Sequence, residues 1–167
     1  MHVLVSVASR HGATQEMGEV VANALADAGH EVDVLEPDDV DDVRPYDAVV
    51  LGSAVYVGRL AASLRDLVQR QEGQLRERPV WLFWSGPVGD PPLPPGVPDD
   101  VEQIAAHVGA RGVQCFVGRL DHRSLSVSER ALVALTGAPD GDFREMEDVA
   151  EWAGSVAEML PRTVASR

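Results

Sequence analysis

A short polar turn near the N-terminus has the residue types that bind a phosphate group. Residues 9–14 read Ser-Arg-His-Gly-Ala-Thr and separate an apolar run from an amphipathic segment. Ser9 and Thr14 offer hydroxyl donors, and Gly12 lets the backbone turn sharply and approach a ligand closely. The first N–H groups and the dipole of a following helix would also favour an anion here. The alternative is that Ser9 and Thr14 only cap the helix and Gly12 only serves the turn.

Two further glycine-containing segments have the composition of loops that hold a planar ring. Residues 52–58 place a small, apolar and aromatic sequence between two glycines, and Tyr56 could stack on the ring. Residues 84–90 are rich in glycine and proline and suit a rigid ledge beneath a flat ligand. A phosphate cradle beside two such loops fits flavin mononucleotide (FMN). The alternatives are that Tyr56 packs on its own loop and that the third segment is an ordinary crossover loop.

The elements that must position these turns follow from the apolar pattern. Five short apolar runs are typical of strands buried on both faces of a parallel sheet: His2–Ala8, Glu31–Leu35, Ala48–Ser53, Val80–Trp84 and Val113–Val117. Amphipathic segments lie between and after them and predict helices. Gly29 would end the first helix. Capping-box patterns at residues 99–102, 126–129 and 142–145 would begin the later ones.

This alternation predicts an α/β fold, a doubly wound five-stranded parallel sheet of order 2-1-3-4-5 with helices on both faces. In that order a ligand lies at the carboxyl ends of strands 1 and 3, where the winding reverses. The first two turns follow those strands, and the third follows strand 4. The three turns are therefore expected at one edge of the sheet.

Composition indicates one globular domain over residues 1–167, with 45% hydrophobic and 25% charged residues. The net charge of -13 disfavours nucleic acid and anionic lipid as partners. No apolar run is long enough to span a bilayer, and the N-terminus lacks a signal peptide, so we expect a cytoplasmic protein. The one cysteine, Cys115, is expected as a buried, inert thiol in strand 5.

Several other functions are excluded by missing residues. A P-loop needs a lysine, and all 14 basic residues of this chain are arginine. A dinucleotide site needs G-x-G-x-x-G after strand 1, which is absent. A phosphoryl-receiver domain would need an aspartate at the end of strand 3 and a lysine at the end of strand 5, where this chain has Ser53 and Arg119.

These motifs together resemble a known family, the flavodoxin-like FMN proteins. The resemblance is to the flavodoxin-domain branch that includes menaquinone-dependent protoporphyrinogen dehydrogenase. The phosphate pattern [ST]-x-x-G-x-T is matched at residues 9–14, and Gly-Ser-x-x-Tyr-x-Gly is matched at residues 52–58. Residues 84–89, 117–120 and 141–144 also look like segments of that branch. The acidic segment 89–96 departs from a longer basic and aromatic insertion that the branch links to membrane and tetrapyrrole use.

The resemblance implies a flavodoxin-like fold with FMN as cofactor. The expected cofactor-binding residues come from the three loops: Ser9, Arg10, His11, Gly12, Ala13, Thr14, Ser53, Ala54, Val55, Tyr56, Val57, Gly58, Ser85, Gly86, Pro87, Val88 and Gly89. We expect an oxidoreductase that passes electrons or hydride between flavin and a quinone-type small molecule or a redox partner protein. The alternatives are an electron carrier serving protein partners, or a non-catalytic module with weak or no flavin. No side chain is assigned a catalytic role, and no metal site is expected.

Overall fold

The computed structural model describes residues 1–88 and 95–162 and has a parallel sheet at its centre. The strands of this sheet are β1 (His2–Ala8), β2 (Glu31–Leu35), β3 (Ala48–Tyr56), β4 (Arg59–Leu60), β5 (Val80–Ser85) and β6 (Gly112–Phe116). The parallel strands follow the order β2-β1-β3-β5-β6, and the short β4 pairs antiparallel with β3. Because the predicted fourth and fifth strands are β5 and β6, the predicted order 2-1-3-4-5 is confirmed.

Helices surround the sheet, and a second small sheet lies apart from it. The helices are α1 (Ala13–Asp27), α2 (Ala62–Arg76), α3 (Asp99–Val108), α4 (Val127–Thr136) and α5 (Met146–Met159). Single 3₁₀ turns occur at Pro37–Asp39 and His122–Ser124. The small sheet pairs β7 (Arg119–Leu120) with β8 (Gly141–Asp142) in antiparallel fashion. No helix among the residues described is long and apolar enough to cross a bilayer.

Both faces of the sheet are covered because its central strands are apolar at nearly every position. Successive side chains of a strand point to opposite faces, so β1 and β3 contribute to two separate cores. Leu4 and Leu51 pack in the core that includes residues of α2 and α3. Val5 and Val50 pack in the core that includes residues of α1 and α5. The predicted two-sided covering is therefore confirmed.

The helix ends match the sequence patterns only in part. The capping box of Ser126 and Glu129 at the start of α4 is present. The boxes predicted at residues 99–102 and 142–145 are wrong, because neither α3 nor α5 begins with a side-chain capping hydrogen bond. Gly29 has a φ of 91° directly after α1, in agreement with its predicted role at the helix end.

Strand β6 is an edge strand, and this corrects the expectation for Cys115. The residue is exposed rather than buried, because β6 has a neighbour on one side only. Its thiol is nevertheless desolvated enough to raise its pKa to about 11, so it is protonated at neutral pH. An apolar strand pattern does not distinguish an edge strand from a central one.

The close packing of β3 against β5 gives a first prediction. A Cβ added at Gly52 would lie 2.3 Å from Cζ of the buried Phe83 ring. The Gly52→Ala variant should therefore lose about 1–3 kcal/mol of unfolding free energy, measured by urea denaturation. The control is Gly73→Ala in α2, where an added Cβ meets nothing within 4 Å. This variant should be as stable as the parent or up to about 1 kcal/mol more stable. Equal losses in the two variants would contradict this description of the sheet.

Candidate functional site

Three loops meet at the carboxyl edge of the sheet, as the strand order requires. Loop 1 is residues 9–14 after β1, loop 2 is residues 53–58 at the end of β3, and loop 3 is residues 85–89 after β5. The strand register sets Ala8 beside Ser53 and Ala54 beside Ser85. A hydrogen bond of 2.9 Å between Thr14 Oγ1 and Ser85 Oγ joins loop 1 to loop 3. The loops predicted from sequence are therefore neighbours.

Loop 1 presents a run of backbone donors at the start of α1. Gly12 is the residue before the helix, with a φ of 80° and open space where a side chain would lie. The first hydrogen bond of the helix runs from Glu16 N–H to the Gly12 carbonyl. The N–H groups of residues 10–15 donate no hydrogen bond to any residue that the structure describes. Unpaired N–H groups at a helix N-terminus are the chemistry that binds a phosphate.

The capping interpretation of the loop 1 hydroxyls is wrong, and the Thr14 hydroxyl has a partner in another loop. Neither Ser9 nor Thr14 caps α1, because the helix start has no side-chain capping hydrogen bond. Thr14 is 1% exposed, and its hydroxyl is bonded to Ser85. The donors that face away from the protein at loop 1 are therefore chiefly backbone groups.

Loop 2 is a tight hairpin rather than an open loop. Strand β3 continues to Tyr56, and β4 returns antiparallel with Tyr56 opposite Arg59. The two turn residues Val57 and Gly58 both have positive φ, 52° and 72°. Val57 is 74% exposed, and a β-branched residue in this region of φ is rare. The hairpin therefore holds an apolar side chain in solvent at the site.

Two other loop 2 residues already contact other parts of the protein. Ser53 is fully buried, and its hydroxyl donates to the Ala54 carbonyl at 2.7 Å and accepts from Ala61 N–H at 3.0 Å. Tyr56 is half-buried, with the His11 ring edge-on at 6.2 Å and the Arg10 guanidinium 5.9 Å from its centroid. Burial raises the pKa of Tyr56, so its phenol is neutral. Loops 1 and 2 are thus in contact through Tyr56.

The described part of loop 3 is packed into the protein. Val88 is 4% exposed, and the Pro87 carbonyl accepts a 2.7 Å hydrogen bond from Gly118 N–H. A Cβ on Gly86 would lie 2.9 Å from the Val55 carbonyl oxygen, so loops 2 and 3 touch. Gly89, the last predicted contact residue, lies outside the described residues.

Two arginines that are not among the predicted cofactor-binding residues donate hydrogen bonds to the backbone of loop 1. Arg119 Nη2 donates to the His11 carbonyl at 3.3 Å, and Arg144 Nη1 donates to the Ala13 carbonyl at 3.3 Å. We call this pair the arginine clamp. The small sheet positions this pair: Arg119 lies in β7 opposite Asp142 of β8, and Arg144 is two residues beyond β8.

Arg144 is held in place by carboxylates. Its side chain is 9% exposed, and it makes two hydrogen bonds to Asp142, of 2.9 and 2.8 Å, and one to Glu16. These contacts hold the pKa of Asp142 below its usual range, mainly through the Arg144 hydrogen bond. A planar guanidinium bonded twice to one carboxylate has a fixed orientation. The Arg144 guanidinium is therefore fixed at loop 1, with its charge balanced by Asp142 and Glu16.

Helix α4 borders the site through a single carboxylate. Glu129 pairs with Arg10 at 2.5 Å and lies 3.4 Å from His11 Nε2. Its pKa is lowered, first of all by the hydrogen bond from Ser126 N–H. The rest of α4 has no buried residue among those described, and Leu135 is 85% exposed. Val127 and Leu135 are two and six positions from Glu129 along the helix, so they lie on faces other than the one that borders loop 1.

A known protein family matches the part of the chain that contains the three loops. The sequence profile of the flavodoxin domain matches residues 4–146. The chain belongs to the flavodoxin domain family. The matched range includes all three loops and the arginine clamp, and family membership indicates a flavin-binding redox protein with FMN as its cofactor. A comparison with curated proteins found no match.

Solved flavodoxin structures share the fold across almost the whole chain. An archaeal flavodoxin superposes with a TM-score of 0.66 at 13% identity, covering 95% of this chain and 98% of its own. The two-electron reduced flavodoxin of Megasphaera elsdenii gives 0.61 at 18%, covering 92% and 98%. Rubredoxin oxygen:oxidoreductase of Desulfovibrio gigas gives 0.62 at 13%, covering 99% of this chain and 37% of that one. Proteins with this fold therefore occur both as chains of similar length and within longer chains.

The hydroxyl pair between loops 1 and 3 gives a second prediction. Thr14→Val keeps the side-chain shape but leaves the Ser85 hydroxyl, which is 3% exposed, without its partner. We expect Thr14→Val and Ser85→Ala each to cost about 1–2 kcal/mol of unfolding free energy. The double variant should cost clearly less than their sum, since no orphaned hydroxyl remains. A double-mutant cycle in urea measures this, and strict additivity would show that the two loops are not coupled.

Proposed function

We propose that loop 1 binds the FMN phosphate and that loops 2 and 3 contact the flavin ring. The observation that carries this proposal is the run of unpaired N–H groups at residues 10–15, beside the open space at Gly12. The donor set fits the group, because a phosphate accepts several backbone hydrogen bonds and is favoured by the helix dipole. Open space at Gly58 in loop 2 is also consistent with a ligand at this edge. The proposed contact residues remain those of the three loops, including Gly89.

We propose that the arginine clamp pre-organises this phosphate site. Each guanidinium is bonded to one carbonyl of loop 1, so the peptide planes at His11 and Ala13 are fixed before a ligand arrives. A loop that is already ordered loses less conformational entropy when it binds. Asp142 and Glu16 balance the two guanidinium charges, so the attraction for a phosphate comes from the N–H groups and dipole at the start of α1.

The reaction we propose is oxidation and reduction of a quinone-type small molecule, with the chain in the branch that includes menaquinone-dependent protoporphyrinogen dehydrogenase. Bound flavin would supply hydride or single-electron chemistry. The chain supplies an apolar side chain beside loops 1 and 3, because Val57 is 74% exposed at the turn of the loop 2 hairpin. Described residues 86–88 of loop 3 contribute no aromatic side chain. A flat apolar acceptor would therefore meet little side-chain cover from that loop.

An electron carrier that serves protein partners is the second candidate. It is favoured by the net charge of -13, which attracts basic proteins at long range. The two candidates differ in what must fit beside the flavin: a small molecule in contact with Val57, or a protein surface.

Cofactor binding gives the third prediction. The protein should bind FMN with a dissociation constant tighter than about 100 μM, and riboflavin at least about tenfold more weakly, because riboflavin lacks the phosphate. Arg144→Gln should weaken FMN binding about tenfold and leave riboflavin binding nearly unchanged. Calorimetry or flavin fluorescence measures both ligands.

The control for the clamp is Arg123→Gln, whose side chain is 93% exposed and, among the residues described, pairs with Asp121 at the surface. It removes the same charge and should leave both affinities unchanged. Equal affinities of the parent protein for FMN and riboflavin would contradict a phosphate site at loop 1.

Acceptor choice gives the fourth prediction. FMN-loaded protein, reduced with dithionite, should be reoxidised by menadione with saturation kinetics under anaerobic conditions. Val57→Asp should raise the menadione concentration at half-saturation several-fold, because it puts a charge where this exposed apolar side chain lies. Val34→Asp, at an exposed position of the remote edge strand β2, is the matched control. Reoxidation that never saturates and ignores both variants would favour the electron carrier.

A further inference from the structure

A groove separate from the three loops runs between edge strand β6 and helix α5. Its cavity volume is about 360 Å³, within the lower range of ligand sites. Phe116 and Trp152 form its apolar part, and Glu145, Asp148 and Glu151 contribute its carboxylates. We call this feature the edge groove. None of its residues belongs to loops 1–3 or to the arginine clamp.

The aromatic part of the edge groove is rigid. Phe83, Phe116 and Trp152 form a triangle with ring centroids 5.8–6.0 Å apart and tilted or edge-on contacts. Phe83 is fully buried in the sheet, which anchors the other two rings. Trp152 is half-buried and so reaches the groove. An aromatic surface of this kind binds apolar side chains and also the cationic groups of arginine and lysine.

The carboxylates of the edge groove have no positive partner among the described residues. Glu145, Asp148 and Glu151 recur every three positions of the chain at α5, and none makes a side-chain hydrogen bond or ion pair there. By contrast, Glu16 and Glu129 near loop 1 are both paired with arginine. The edge groove therefore combines an apolar aromatic surface with uncompensated negative charge.

The third property of the edge groove is an unpaired strand edge. Strand β6 ends the sheet, so alternate N–H and C=O groups of Gly112–Phe116 point away from it. Arg111 N–H donates to the Val80 carbonyl of β5, so the alternate residues whose backbone groups face away from the sheet are Gly112, Gln114 and Phe116. Such an edge is a template for an added strand from another chain.

We propose that the edge groove binds an extended segment of a partner protein in which arginine or lysine residues flank an apolar side chain. The backbone of the segment would pair with β6, its apolar side chain would contact Phe116 and Trp152, and its cations would pair with the carboxylates of α5. A second copy of this chain would bring its own acidic groove and a net charge of -13, so like charges would oppose that pairing. Charge selects a basic partner.

The edge groove lies next to loop 3, so a partner bound there would be close to the three loops. Val117 lines the groove, and the next residue, Gly118, is hydrogen-bonded to Pro87 of loop 3. A protein docked along β6 would therefore lie beside the edge of the sheet that carries the three loops. The docking surface itself uses none of the proposed FMN contacts, so the proposal stands or falls independently of the cofactor.

The test uses a synthetic probe, the peptide acetyl-Arg-Val-Arg-Val-Arg-amide, with acetyl-Glu-Val-Glu-Val-Glu-amide as its matched control. Calorimetry should show binding of the arginine peptide with a dissociation constant near or below about 100 μM, and no binding of the glutamate peptide. The Asp148→Asn/Glu151→Gln double variant should weaken binding about tenfold or more. The Glu147→Gln/Glu158→Gln variant removes the same charge from exposed α5 positions outside the groove and should change it less than about threefold.

A chemical footprint locates the bound peptide. Cys115 is the one cysteine of the chain and lines the edge groove, so its alkylation by a maleimide should slow when the arginine peptide is bound. Slower alkylation together with a selective loss in the groove variant supports the proposal. Absence of binding, equal weakening in both double variants, or unchanged alkylation at saturating peptide would overturn it. The measurements are made with and without added FMN, so a failure of FMN binding is recorded separately.

Discussion

The geometry of loop 1 depends on two guanidinium groups that cannot move away. Arg144 is bonded twice to Asp142 while it also bonds the Ala13 carbonyl, and Arg119 bonds the His11 carbonyl. Asp142 and Glu16 balance the charges of this arginine clamp, so the clamp orders the loop, and the N–H groups at the start of α1 are what would attract an anion to a chain of net charge -13. The small sheet of β7 and β8 thereby acts on loop 1, more than a hundred residues earlier in the chain.

Along the carboxyl edge, side-chain hydroxyls and backbone N–H groups have different roles. Three hydroxyls are hydrogen-bonded within the protein. Those of Thr14 and Ser85 join loop 1 to loop 3, and that of Ser53 bonds the backbone of its own loop. The backbone N–H groups of loop 1 are left for a ligand. Rigid loops with unpaired hydrogen-bond donors suit a cofactor that is held tightly and reacts at its ring. Val57 on loop 2 then provides an exposed apolar side chain where we propose that a reaction partner approaches.

The sequence was sufficient for the order of the main strands and for the meeting of the three loops at one edge. Apolar runs and amphipathic segments predict the five main strands and their order, because burial on both faces requires that pattern. Parallel strand order then brings loops 1, 2 and 3 to one edge without any knowledge of side-chain contacts. The capping box at Ser126 and Glu129 could also be predicted, since it is a local pattern.

Features that depend on distant contacts could not be predicted in this way. Arg119 and Arg144 lie in segments that resemble the branch, but no local pattern indicates that their side chains bond the carbonyls of loop 1. The hairpin of loop 2 requires a positive φ at Val57, which β-branched residues disfavour, and the pairing of β3 with β4 overrides that preference. The predicted order places strand 5 at the edge of the sheet, but its apolar residues alone predict burial on both faces, whereas Val113 and Cys115 are exposed.

The central claim is that the backbone of loop 1 binds the phosphate of FMN. Amide NMR of the ¹⁵N-labelled protein during FMN titration tests it most directly, because each N–H group reports separately. The account predicts the largest shifts at the amides of Gly12, Ala13 and Thr14, and smaller ones in loops 2 and 3. Riboflavin should shift loop 2 while leaving the loop 1 amides nearly unchanged. Shifts confined to the groove between β6 and α5, with loop 1 unaffected by FMN, would contradict the account.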